Sequence, residues 1–198
     1  MKISGLQPLS LTDFPGKVAA VFFTVGCNLR CPFCHNKSLW KENAPLIPTK
    51  EITKFLENRQ GQLDGIVISG GEPTLQPDLA DFIDKVRSYG YLVKLDTNGM
   101  KPDIVQALLE KRCLDYIAMD IKSPFDKYPS LVGLPNISVE KLKESISLIA
   151  NSGIAHEFRT TFVPHLLTQA DLDIIKGYVP SGSFHRVQEY IEVVDTVK

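Results

Sequence analysis

The chain has 198 residues, enough for one domain with a sizeable core, and 22 Lys+Arg against 23 Asp+Glu leave a formal charge of −1. With no run of like charge, nothing argues for nucleic acid or an anionic lipid surface, and no apolar stretch approaches the ~20 residues that cross a bilayer. No signal peptide, repeat or low-complexity segment stands out, so a cytoplasmic α/β domain with reduced thiols is expected.

In chain order, a short N-terminal segment over residues 1–17 precedes a continuous apolar run of strand length at 18–24 (VAAVFFT). Similar runs follow at 66–69, 91–95, 116–119, 157–163 and 187–194. Short runs rich in Val, Ile, Phe and Tyr suit buried parallel strands. Helical patterns lie between them. Thr49 is placed to cap a helix carrying Ile52, Phe55 and Leu56. Pro77 opens one with Leu79, Phe82, Ile83 and Val86, and Pro102 another with Ile104, Val105, Leu108 and Leu109. Ser138 precedes a helix bearing Leu142, Ile146 and Ile149. Thr168 with Asp171 approximates a capping box before Leu172 and Ile175.

Repeated strand–helix units predict a parallel sheet with right-handed crossovers. A closed eight-unit barrel takes about 250 residues. The predicted fold is therefore a single α/β domain, an open, partial (β/α)6 barrel of TIM type over residues 18–198, with residues 1–17 as an N-terminal extension. A flat doubly wound sheet is the alternative. Both architectures place their sites at the C-terminal ends of the strands, and every motif below falls there.

After the first strand come Cys27, Cys31 and Cys34, spaced Cys-x3-Cys-x2-Cys behind the turn-forming Gly26. Three thiols so close together bind a metal or cluster better than they build a fold. A [4Fe–4S] cluster usually takes four cysteines; a group of three leaves an iron open for other chemistry. The other reading is zinc, with His35 as fourth ligand, although neighbouring Cys34 and His35 make an awkward pair. Cys113 stands alone and reads as a half-buried small apolar residue. Phe33 suits either the core or a bound aromatic ring, and His35 either a surface role or a functional one.

The second strand leads into Ser69-Gly70-Gly71-Glu72-Pro73, where two glycines allow close backbone approach and Glu72 supplies an anion for an amine; a plain turn is the alternative. The third leads into Asp96-Thr97-Asn98-Gly99, with oxygen donors at the strand end. Asp120 and Lys122 lie two apart after the fourth strand and so share a face, either as an ion pair or as ligand contacts. Arg159 and Thr161 share a face on the fifth, followed by Val163 and by His165 in a turn.

Ile3-Ser4-Gly5-Leu6-Gln7, Thr12-Asp13-Phe14-Pro15-Gly16-Lys17, the cysteine motif, Asp96-Thr97-Asn98-Gly99 and Asp120-Ile121-Lys122 together resemble the glycyl-radical-enzyme activases of the radical S-adenosylmethionine (SAM) superfamily. Within that group, Thr160-Thr161-Phe162-Val163-Pro164-His165 is most similar to the activating proteins of anaerobic ribonucleoside-triphosphate reductases. The resemblance implies a [4Fe–4S] cluster on Cys27, Cys31 and Cys34, with SAM on the remaining iron. It implies that Gly70, Gly71 and Glu72 hold the SAM amine and Lys122 its carboxylate, with Phe33, Asp96, Asn98, Arg159 and Val163 as further contacts. It implies a monovalent cation at Asp96, Thr97 and Asp120. It also implies cleavage of SAM to a radical that takes hydrogen from a glycine of a partner enzyme, fed by a flavodoxin- or ferredoxin-type donor. His185 has no assigned role. A different radical SAM substrate, a plain electron carrier and a zinc module are the alternatives.

Overall fold

The apolar run after Lys17 is buried on both faces, as a strand inside a parallel sheet must be. It forms β2 (Ala19–Thr24) in the computed structural model, which describes residues 1–41 and 43–192. Five more strands continue the sheet: β3 (Gly65–Gly70), β4 (Leu92–Thr97), β5 (Tyr116–Asp120), β6 (Ala155–Phe162) and β7 (Phe184–Glu189). All pair in parallel with the strand before them. A doubly wound sheet reverses its strand order at a switch point. Here the spatial order follows the chain throughout, and among the described residues the two edge strands do not pair with each other. The fold is the open, partial barrel.

The helices are α1 (Thr49–Asn58), α2 (Leu79–Ser88), α3 (Pro102–Glu110), the one-turn α4 (Tyr128–Leu131), α5 (Val139–Ala150) and α6 (Gln169–Lys176). The predicted box at Thr168 and Asp171 is complete, each side chain accepting from the other's backbone N–H. Pro48, not Thr49, occupies the cap of α1, and Ser138 caps α5 without a side-chain hydrogen bond. No helix among the described residues is long and apolar enough to cross a membrane.

Two sequence expectations need correction. Residues 1–17 are no mere extension: Ile3–Ser10 forms β1, antiparallel to β2, and gives the sheet its seventh strand. Gly5 and Pro8 interrupt the alternation that marks a strand, and an edge strand tolerates both. The last strand, expected at 187–194, starts at Phe184 and ends at Glu189; residues 193–194 lie outside the described residues. Phe184 and Val187 are 59% and 47% exposed, so apolar residues there do not track burial.

Alternate strand residues face opposite ways. Outward, Phe22 packs edge-on between Phe55 of α1 and Phe82 of α2, with ring centroids 5.8 and 5.9 Å away. Inward, Ala19, Val21 and Val67 pack with Phe14 in a small apolar floor. Gly65 leaves room for that ring, because a Cβ there would lie 2.9 Å from it. Above the floor the inward residues turn charged, which is where the site begins.

Candidate functional site

Gly26 turns the chain out of β2 with φ +86°, and its N–H reaches Leu39 O at 2.8 Å, so the cysteine loop returns on itself. Buried Leu29 and the bond from Arg30 N to Val132 O (2.8 Å) anchor the loop to the barrel. Cys31 is buried, and Cys27 and Cys34 are half-buried. Leu29 N donates to Cys27 Sγ (3.4 Å) and Asn36 N to Cys34 Sγ (3.3 Å), interactions that favour thiolates and tune a cluster held by them. Burial pushes the free Cys27 thiol up to about 11 and raises Cys31 as well. Among the described residues no three His, Cys, Asp or Glu side chains converge on one ion-binding point.

The two glycines of the next loop also meet a neighbouring stretch of backbone. A Cβ on Gly70 would lie 2.3 Å from Thr24 N, and one on Gly71 would lie 2.1 Å from Gly26 O. Their close approach is to the backbone entering the cysteine loop. Gly71 N and Glu72 N donate to Thr24 O and Gly26 O at 2.9 and 2.8 Å. Glu72 is only 1% exposed. Its Oε1 accepts from Thr74 N (3.1 Å), Thr74 Oγ1 (2.6 Å) and Thr97 Oγ1 (2.7 Å), and its Oε2 from Asn98 N (2.7 Å). Burial outweighs these bonds and raises its pKa. Asn98 Nδ2 in turn donates to Asn28 Oδ1 at 2.8 Å. Glu72, Thr97 and Asn98 therefore pin three loops together.

Inside the barrel, β4, β5 and β6 contribute a chain of alternating charges. Lys94 pairs with Asp96 Oδ1. Arg159 bridges Asp96 Oδ2 (3.3 Å) and Asp120 Oδ1 (2.9 Å), and Lys122 pairs with Asp120 Oδ2 at 3.2 Å. Burial opposes the charge on each, but the partners prevail. Asp120 falls to about 2, Asp96 is lowered, and Lys122 and Arg159 are raised above their ordinary ranges. All four are charged at neutral pH.

These elements enclose a cavity of ≈320 Å³, within the range of small-molecule sites. The three cysteines line it with Phe33, Gly70, Gly71, Glu72, Asp96, Asn98, Lys122 and Arg159, so the structure brings together nearly all the predicted contacts. Val163 is the exception: it is fully buried in the core. Asp96, Thr97 and Asp120, the predicted cation ligands, line the same cavity, with Thr97 Oγ1 donating to Glu72 at 2.7 Å. His35 borders the cavity and packs 5.4 Å from Tyr190, which also meets His165 at 6.5 Å. His185 lies on the other face of β7, beside Thr160 Oγ1 (2.9 Å). Cys113 is 4% exposed, deeper than expected.

Lys94 was missed, although a lysine within an apolar run, two residues before Asp96, was a usable signal. Trp40, which borders the cavity under the Arg30 guanidinium, and Tyr190 carried no motif. The donor set suits the implied cofactors: three thiols two of which accept main-chain N–H bonds, and a lysine in the same cavity for a carboxylate.

The sequence model of the radical SAM superfamily matches residues 21–176. A Methanocaldococcus jannaschii protein named "Putative glycyl-radical enzyme activating enzyme" is 36% identical over 95% of this chain and 79% of its own length. The pyruvate formate-lyase-activating enzyme of Staphylococcus epidermidis is 30% identical over 73% of this chain and 62% of its own. Among solved structures, Streptococcus suis SuiB bound to SAM superposes with a TM-score of 0.69 over 88% of this chain. That match has 16% identity and covers 41% of SuiB, so it speaks for the shared barrel only. The superfamily model covers most of the barrel, and this chain belongs to the radical SAM superfamily, whose cofactors are a [4Fe–4S] cluster and SAM.

Proposed function

We propose that the chain is a radical SAM activase that generates a glycyl radical on a partner enzyme, an anaerobic ribonucleoside-triphosphate reductase, in the cytoplasm. The observation that carries this reading is that Cys27, Cys31 and Cys34 share one cavity with Lys122. The names of the M. jannaschii and S. epidermidis relatives support the activase class, and the Thr160–His165 segment supports the reductase as partner.

Cys27, Cys31 and Cys34 would hold the cluster, and a flavodoxin- or ferredoxin-type protein would reduce it. When bound, the cofactors supply one-electron cleavage of the SAM sulfonium and hydrogen abstraction from a glycine. The chain's own residues bind and orient. Lys122 presents a charged ammonium for the SAM carboxylate, the Gly70–Gly71 backbone borders the place of the amine, and Phe33 offers a ring to the adenine. Glu72 positions rather than ligates, since protein donors engage both of its oxygens.

The test is electron paramagnetic resonance of the reduced, reconstituted protein with and without SAM, then with the reductase. A [4Fe–4S]⁺ signal altered by SAM and a glycine radical on the reductase are expected. Alanine at Cys27, Cys31 or Cys34 should abolish both, whereas Cys113→Ala should keep the iron. A SAM-insensitive signal means an electron carrier. A SAM-sensitive signal without the glycine radical moves the reading to another substrate.

A further inference from the structure

The resemblance implies a monovalent cation at Asp96, Thr97 and Asp120, and the residues do not fit one. Thr97 Oγ1 lines the same cavity but is engaged, donating to Glu72 Oε1 at 2.7 Å and accepting from Gly99 N at 3.2 Å. The four carboxylate oxygens of Asp96 and Asp120 are all engaged by protein donors. Asp96 Oδ1 meets Lys94, and Asp96 Oδ2 meets Ser69 Oγ (3.1 Å) and Arg159 (3.3 Å). Asp120 Oδ1 meets Arg159 (2.9 Å), and Asp120 Oδ2 meets Lys122 (3.2 Å). Lys94, Arg159 and Lys122 thus set three positive charges against two negative ones, so a further cation meets repulsion rather than attraction.

Strand register explains why an arginine reaches this point. Arg159 on β6 lies directly opposite Asp120 on β5, and its planar fork spans to Asp96 on β4, which a lysine's single ammonium cannot copy. We propose that Arg159 is a built-in cation: its guanidinium bridges Asp96 and Asp120 beside the cofactor cavity, and the protein takes no monovalent ion there. Arg159 is then a positioning residue that holds Asp120, and through it Lys122, in place. Only the effect on SAM rests on the proposed function; the ion independence stands on the side-chain geometry.

The test compares thermal midpoints of the purified chain in potassium, sodium and tetramethylammonium chloride at one ionic strength. The parent protein should melt at the same temperature in all three. Arg159→Met leaves two buried carboxylates short of a partner, so its midpoint should drop by roughly 10 °C. Part of that loss should return in potassium or sodium and none in tetramethylammonium. Arg159→Lys, which keeps the charge, should stay indifferent to the salt and decides the matter if the methionine variant does not fold. The SAM dissociation constant of the reconstituted parent should likewise be equal in the three salts. A parent midpoint that rises with potassium or sodium overturns the inference, as does an Arg159→Met midpoint indifferent to the salt. Failure of SAM to bind in any salt counts against the proposed function and leaves the thermal comparison intact.

Discussion

Gly71 has no room for a side chain, because a Cβ would lie 2.1 Å from Gly26 O and that backbone leads into the cysteine loop. Gly71→Ala must push the loop away, at a cost of about 1–3 kcal/mol typical of overpacking. The expected outcome is a folded protein, by circular dichroism, whose reconstituted iron content falls well below the parent's; parent-level iron contradicts this account. Asp120 has a different signature. Arg159 and Lys122 overcome its burial and lower it from 3.8 to about 2. A depressed carboxyl contributes stability that is fully present above its ordinary value and lost as pH falls through the folded one. Asp120→Asn should therefore cost the same in urea at pH 5 and pH 7, with the deficit shrinking from pH 4 towards 2. A deficit that stays constant over that range would show that the ion pairs at Asp120 contribute nothing. The sequence placed Asp96, Asp120 and Arg159 on or beside successive strands, but not in contact with one another. Contact depends on which strands are neighbours and in which register.

The helix starts separate a sequence signal from its realisation. Thr168 and Ser138 both sit at N-caps, yet only Thr168 accepts from the backbone, at Asp171 N, and completes a reciprocal box. Thr168→Ala should cost about 1 kcal/mol, and Ser138→Ala a smaller amount. The comparison of denaturant midpoints checks both, and equal losses would mean that the box contributes nothing beyond propensity. Central strands were legible because burial on both faces leaves an unbroken apolar run. The edges were not: β1 carries Gly5 and Pro8, and β7 exposes Phe184 and Val187. With one side unpaired, an edge strand tolerates residues that a central one rejects, so composition there stops reporting structure.

Across the whole molecule, the barrel has an apolar floor around Phe14 at one end, charged walls above it and a cysteine loop at the C-terminal ends of the strands. The βα alternation determined the layered fold, because it depends on local periodicity. The cysteine motif, through the family resemblance it carries, pointed to the cofactor class, because its ligands lie within one loop. Only the tertiary structure decided what distant residues do to one another. It turned Gly70 and Gly71 towards the backbone of a neighbouring loop, surrounded Glu72 with protein donors and buried Val163. It also set Arg159 between Asp96 and Asp120, where an ion had been expected. Each of these outcomes depends on strand register and loop packing, which bring together residues that the sequence keeps far apart.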